Sequence, residues 1–384
     1  LETAVRVVLP SALSGITAAI ILAISRAVGE TMDTAGKAVF FSGLTVLVSL
    51  SAVLLVPSPA FRSMALGIML SVAFVLLAAL TLLPAVLAWL GDRVDTLALP
   101  WVHAGEHRSP AFARWGERLW RRPWAYGLVA TAILGALSLP VLGLETGMPS
   151  IRVVPEDDGS RVGYTQVQEA FGPGAPGTLQ VVAPAAQVER ASAVLGVDPG
   201  VANVAPPVTS GGVALLLAIP AADPSDPAVG ETIERLRATL PAEALVGGAA
   251  AENHDLEEAL SSRTLAVFGV VLVLGFLLLL VALQAPVIAA VGVVLNLLAV
   301  AAAFGVAKLI FQDGRLESIL GFESQGFVNA WGPVFFFAMI FAIAMDYTVF
   351  LLSSAREHWE ESGDAKAAMV GALAHSGRVI LAAG

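Results

Sequence analysis

Between Ser324 and Ala355 the chain carries one charged side chain, Asp346, set beside Tyr347 in the run PVFFFAMIFAIAMDYTVFLLSS. At ~1.5 Å of rise per residue, a helix through this run places Pro333 ~20 Å to one side of Asp346 and Ser354 ~12 Å to the other. Runs of roughly twenty apolar residues, the length that a hydrocarbon core of ~30 Å demands, recur along the chain. With 57% hydrophobic and 14% charged residues, an ordinary soluble fold is excluded. A charged Asp well inside hydrocarbon costs ~2.5–3.5 kcal/mol on insertion scales. A chain keeps such a group mainly when it works, as a carrier of protons or ions. The alternative is a carboxyl held protonated as hydrogen-bonding glue between helices.

Six spans are expected, near 38–56, 64–90, 123–143, 264–284, 286–310 and 333–354, and a seventh opens at Val379 within 379–384. The stretch 92–122 carries Arg93, Arg108, Arg114, Arg118, Arg121 and Arg122, which assigns it to the cytoplasm as a linker by the positive-inside rule. It separates the pair of spans in 34–91 from the third. The polar segment 144–263 and the loop 311–332, on either side of the spans in 264–310, then fall outside. Residues 355–378, with Arg356, Lys366 and Arg378, are read as a cytoplasmic loop. The chain opens on Leu1 without a basic signal peptide, so a fragment or a processed piece is expected.

The outer segment has the order of a small α/β domain. Strands are expected at 178–184, 201–207, 213–220 and 244–248, with helices near 186–196 and 228–240. Asp226 is placed as the N-cap of the second helix, followed by Pro227 in its first turn. Val229, Ile233, Leu236 and Leu240 fall on one face of it. The order β-α-β-β-α-β is the ferredoxin-like split motif.

The stretches GKAVFFSGLTVLVSL, LTLLPAVLAWLGDRVD, LVGGAAAENHD, the spans around Asn296, and AMDYTVFLLSSAREHWEE followed by GALAHSGRVILAAG resemble the MMPL (mycobacterial membrane protein large) family of the RND transporter superfamily. The likeness covers about residues 34–384. It implies an α-helical polytopic membrane protein of the plasma (inner) membrane, here half of an RND-type bundle, with an extracytoplasmic ferredoxin-like α+β porter domain. In such proteins two pseudo-repeats each supply six helices and an outer domain. The resemblance further implies export of lipids or hydrophobic and amphipathic compounds, driven by the proton motive force through antiport, with no cofactor beyond the proton gradient. By position, the chain starts after the fourth helix of the first half and ends early in the eleventh. The first-half Asp-Tyr pair is absent from it, so an incomplete transporter is expected. Gln284 stands where the family commonly has Arg. Residues 1–33 fit less well, since 1–31 resemble the coupling loop and following helix of an ABC phosphate permease, as a fusion, a misassembled frame or a chance likeness.

Asp346 and Tyr347 are the expected proton relay, with the Tyr hydroxyl able to donate to a nearby carboxylate. Ser42 and Thr45 on the first span, and Asn296 in mid-span, are expected as relay or packing neighbours. Small polar residues and amides commonly serve helix packing, and Asn296 favours interhelical hydrogen bonding over substrate contact. Pro84 is expected to kink the second span. Trp120, Trp124 and Trp331 are read as interfacial anchors, and Lys308 as a snorkelling cation. Gly247, Gly248 and Asp255 mark the turn from the porter into the membrane. His103, His107, His254, His358 and His375 show no metal-ligand spacing, and Cys is absent. No nucleophile-base arrangement or phosphate cradle marks an enzyme. The expected partners are a lipid or hydrophobic substrate, the bilayer, and a second copy or accessory membrane proteins; nucleic acid is not among them. Two competing readings are an ABC phosphate permease subunit, carried by the first residues alone, and a non-transporting sterol-sensing-like scaffold, against which Asp346 argues.

Overall fold

The structure is a computed structural model that describes residues 34–90 and 109–383. The permease-like opening segment and the residues 91–108 lie outside the described residues. Helix α1 (Thr34–Ser51) tightens into a 3-10 turn at Ala52–Leu55. Arg62 clamps that end, its Nε donating to the carbonyls of Leu54 and Val56 at 3.2 and 3.1 Å. Helix α2 (Pro59–Leu80) breaks at Thr81 and resumes as α3 (Leu82–Leu90). The span expected at 64–90 is therefore two helices. The break precedes position 84 by three residues, which leaves Pro84 in a first turn where a missing N–H costs nothing.

An amphipathic helix, α4 (Pro110–Arg121), leads into α5 (Pro123–Ser138). The polar segment follows, with β1 (Thr146–Gly147), α6 (Gly159–Phe171), β2 (Leu179–Pro184), α7 (Val188–Val197), β3 (Val201–Val204), β4 (Val208–Ser210), β5 (Val213–Pro220), α8 (Pro227–Thr239) and β6 (Leu245–Gly247). The remaining elements are α9 (Ala249–Leu283), α10 (Pro286–Ala307), a short α11 (Glu317–Leu320), β7 (Val328–Asn329), α12 (Trp331–Ser362) and α13 (Ala365–Ala383).

Among the described residues, five helical segments are long and apolar enough to cross a membrane: Pro59–Leu80, Pro123–Gly143, Ala249–Leu283, Pro286–Gln312 and Trp331–Ser362. Val39–Leu55 is an apolar helix below that length. Helix α12 is the hub. Val334, Phe341 and Met345 are fully buried against Leu50, Val53, Val267 and Val271 of the neighbouring helices. Two glycines let the helices close up. A Cβ at Gly275 would lie 2.7 Å from the Met345 sulfur, and one at Gly305 would collide with the Leu137 carbonyl oxygen.

Residues 355–378, expected as a loop, are almost wholly helical. No breaker interrupts SAREHWEES, and Arg356 pairs with Glu360 at 2.9 Å one turn on. The chain turns only at Gly363, in the left-handed region at φ 64°. Asp364 then caps the next helix, accepting from the Lys366 N–H at 3.0 Å.

In the unit that lies outside the apolar helices, the outer unit in that sense alone, the sheet order is β3-β5-β2-β6, all neighbours antiparallel, with β4 also paired to β5. Alternation drives it: Leu179, Val181 and Ala183 of β2 and Leu216 and Ala218 of β5 face a core shared with Leu195, Ile233 and Leu236. The β4–β5 hairpin turns on Gly211 and Gly212, both at positive φ, as a two-residue primed turn requires. Asp226 caps α8 through the Ala228 N–H at 2.9 Å. The parallel pairing of β1 with β7, and the Arg161–Glu323 ion pair at 3.0 Å, tie the start of the outer unit to the loop before α12. At the opposite end of α12, α4 packs on α13, with the Phe112 ring against Gly377.

Candidate functional site

Asp346 lies half-buried near the middle of α12. Its described polar partner is Ser42 of α1, whose hydroxyl hydrogen-bonds the carboxylate. Among the described residues no Lys or Arg forms an ion pair with it. The two helices meet because Phe41 and Val46 of α1 pack into the cluster that holds Phe337, Phe341 and Met345 of α12.

Thr45, named with Ser42 from the sequence, is buried at 1% exposure. Its hydroxyl donates instead to the Phe41 carbonyl of its own helix, at 2.8 Å. Tyr347 is half-buried, about 100° round α12 from Asp346. Asn296 reaches a different side of the helix. Its Oδ1 accepts from the Thr348 hydroxyl at 3.1 Å, and Thr348 lies about 200° from Asp346 at the helical pitch. The Asn296 amide nitrogen is buried without a hydrogen-bond partner. The structure thus joins Ser42 to Asp346 and separates Thr45 and Asn296 from it. Thr348 escaped the sequence reading, because a single Thr in a span carries no signal beyond its polarity.

A cavity of about 480 Å³ opens at the other level of the bundle, between the end of α5, α9, α10 and α12. Its walls include Leu265, Val300, Phe304 and Phe337, with Glu257, Ser261 and Thr264 along one helix. Phe337 precedes Asp346 by nine positions on α12, about 13 Å along the axis.

The remaining flagged residues serve structure. Asp255 holds Arg237 at 2.5 and 2.9 Å, pinning α8 to the start of α9. Lys308 does not reach outward alone but binds Asp313 at 2.8 Å. Gln284 ends α9 in the left-handed region at φ 53°. His358 and His375 stand 5.2 Å apart, ring to ring, at the junction of α12 and α13, and His254 lies 3.4 Å from Glu234. Among the described residues no group of three or more His, Cys, Asp or Glu is placed to hold a metal.

Outside the membrane helices, Asp223 accepts from Tyr164 (3.0 Å), Gln168 (2.7 Å) and Ser225 (2.6 Å). Burial works against its charge, but these bonds outweigh it and hold the carboxyl below its ordinary value. The same burial, with the Asp223 charge beside it, pushes the Tyr164 hydroxyl up. This network locks α6 to the loop after β5, and the sequence reading missed both it and α6.

The MMPL family model matches residues 18–126 and 212–384, so the likeness begins inside the opening segment that the sequence set apart. A mycolic acid-containing lipids exporter, MmpL11 of Mycolicibacterium smegmatis, is 34% identical over 380 residues, 93% of this chain and 40% of its own length. A heme uptake protein, MmpL11 of Mycobacterium tuberculosis, is 34% identical over 381 residues, 93% of this chain and 39% of its own length. Membrane protein YdfJ of Bacillus subtilis is 32% identical over 376 residues, 94% of this chain and 51% of its own length. The chain therefore spans about two fifths to one half of the relatives it matches. With the family model matched over most of the chain, and apolar helices long enough to span, this multi-pass plasma-membrane chain belongs to the MMPL family.

Proposed function

We propose that this chain is part of a proton-motive-force-driven exporter of lipids or amphipathic compounds. The observation that carries the reading is Asp346, a carboxylate in the hub helix of the bundle with one hydroxyl partner and no ion pair among the described residues. An uncompensated carboxylate between two packed helices is a group whose charge state changes what its neighbours must satisfy. Protonation removes the charge that Ser42 solvates; deprotonation restores it. The α1–α12 contact then has two states, biased by which side of the membrane supplies the proton.

The apolar cavity with Glu257, Ser261 and Thr264 on one wall suits an amphipath, chains against Phe304 and Phe337, polar group toward the carboxylate. Its distance from Asp346 makes the coupling indirect, through α12. The name of the Mycolicibacterium smegmatis relative, a lipid exporter, supports the substrate class. The strand order β3-β5-β2-β6 supports a ferredoxin-like porter, and the arginines of α4 support a cytoplasmic linker. The share of its relatives that the chain spans supports a working transporter longer than this chain, and the family resemblance supports a second Asp-Tyr pair within it. The gradient is its energy source, without a cofactor. Uptake of heme is a second reading, favoured by the name of the Mycobacterium tuberculosis relative at the same identity.

The test is transport in vesicles holding the full-length protein, with Asp346→Asn beside wild type, under an imposed pH gradient. Asn keeps size and hydrogen bonding but cannot titrate, so insertion should stay near normal while transport stops. Wild-type rates in Asp346→Asn vesicles would sink the proton-carrier role. An uncoupler that leaves transport intact, while ATP depletion stops it, would favour an ATP-driven permease. Net movement of heme inward would replace export with uptake.

A further inference from the structure

We propose that the basic face of α4 is a docking surface for the anionic phospholipid headgroups of the leaflet beside it. Arg114, Arg118 and Arg121 follow at i, i+4 and i+7 on this helix, one stripe along one side. The opposite side is committed to protein. A Cβ at Gly116 would lie 3.2 Å from Leu373 and 3.3 Å from the Val370 backbone, and Phe112 packs on Gly377. Packing on α13 therefore fixes which side the arginines present. Arg122 forms the joint to α5, which opens at Pro123, so the stripe ends where the apolar span begins.

Chemistry selects the ligand. None of these four arginines forms an ion pair with a carboxylate among the described residues, and Arg114 spends its Nε on the Pro110 carbonyl of its own helix at 3.2 Å. The one acidic residue of the helix is Glu117. A guanidinium with no carboxylate partner among the described residues matches a phosphate through paired N–H donors. The rims are indoles. Trp120 is 43% exposed and Trp124 83% exposed, and Trp115 meets Tyr126 of α5 edge-to-face at 5.5 Å. Tryptophan beside a span is at home at headgroup depth. Inorganic phosphate would have no use for these rings. The surrounding protein is acidic, net −10, so the attraction is local to this face.

The experiment uses the full-length protein in nanodiscs, of phosphatidylcholine alone or mixed equally with phosphatidylglycerol, with retained lipid read by mass spectrometry after mild extraction. Wild type should retain phosphatidylglycerol preferentially, and the preference should fall with added salt. It should drop about fivefold for each arginine neutralised, and vanish in the Arg114→Gln/Arg118→Gln/Arg121→Gln protein. The corresponding triple Lys protein should keep most of it. Equal retention of both lipids by wild type, or a preference indifferent to salt, would overturn the proposal even if the Gln protein failed to fold. A preference surviving in a folded Gln protein would overturn it too. Displacement of the lipid by inorganic phosphate or by RNA at physiological salt would assign the face to a soluble anion instead.

Discussion

The outer unit and the membrane bundle treat their carboxylates in opposite ways. Outside, Asp198 meets Arg235 at 2.8 Å, Asp255 meets Arg237, and Asp223 collects Tyr164, Gln168 and Ser225. In the bundle, Asp346 has the Ser42 hydroxyl and no ion pair among the described residues. Compensated carboxylates hold elements together and keep their charge. One left with a single hydroxyl among the described residues, in a helix that buries Ala342, Met345 and Val349 beside it, contributes little cohesion that packing would not supply. The bundle coheres by close approach of helices; the outer unit coheres by a sealed core and a satisfied polar surface.

The strongest way to break that contrast is at Gly305. A side chain there meets the Leu137 carbonyl, backbone that cannot rotate away. Gly305→Val should cost several kcal/mol and leave little folded protein after detergent extraction. A Gly305→Val protein with wild-type melting behaviour would show that the bundle does not depend on this crossing.

The outer unit should respond instead to loss of a polar centre. Asp223→Ala leaves the Tyr164 hydroxyl without its acceptor and the Gln168 amide with only the Pro173 carbonyl, at a cost of about 2 kcal/mol. Hydrogen exchange should show the loss in 159–171 and the loop after β5, while the membrane helices keep their protection. Uniform loosening of the whole protein would merge the two regions.

How much of this was visible beforehand follows the same division. In the outer unit, alternation placed β2 and β5 within a residue, and Asp226 with Pro227 fixed the start of α8, because period and cap are local signals. Helix α6 was missed because its sequence, GSRVGYTQVQEAF, has two glycines and no buried residue. In the membrane, length and apolarity found five of the six expected spans among the described residues but not their ends, and the one expected at 38–56 is the shorter apolar helix Val39–Leu55. The end of the last full span at Ser354, before a cytoplasmic loop, was read from charge, whereas the helix runs on until Gly363. Asp346 was legible as the lone charge in its span. That Ser42 and not Thr45 would face it depends on how α1 is rotated, which a nearly uniform apolar helix does not encode.

Acid should also separate the regions. The Arg235 bond, with burial working against it, holds the Asp198 carboxyl below its ordinary value, as the network does for Asp223. Both groups therefore bind a proton less readily folded than unfolded. Their stabilisation is present above the ordinary carboxylate value of about 3.9 and is lost as pH falls below it. Exchange rates in the outer unit, each divided by the intrinsic rate of an unfolded chain at the same pH, should be flat from about pH 7 to pH 5 and rise below about pH 4. Asp223→Asn should flatten part of that rise. An outer unit indifferent to pH 3 would remove these carboxylates from its stability.

The smallest effects should come from the two hydroxyls of α1, and their difference tests the contrast most finely. Ser42→Ala removes the described donor to the Asp346 carboxylate. A hydrogen bond to a charged group is worth about 1.5–3 kcal/mol, so a transport step that uses it should slow by about tenfold or more. Ser42→Thr keeps the hydroxyl and should recover most of the rate. Thr45→Val keeps the shape of a residue at 1% exposure and gives up a bond to its own helix. Thr45 touches no part of the Asp346 carboxylate's hydrogen bonding, so its rate should stay within about twofold, the change expected for roughly 0.4 kcal/mol. Proton-coupled transport in vesicles, with both proteins at matched insertion, measures the two rates directly. Equal slowing by Ser42→Ala and Thr45→Val would mean that α1 acts through packing alone, and Asp346 would lose its one assigned partner.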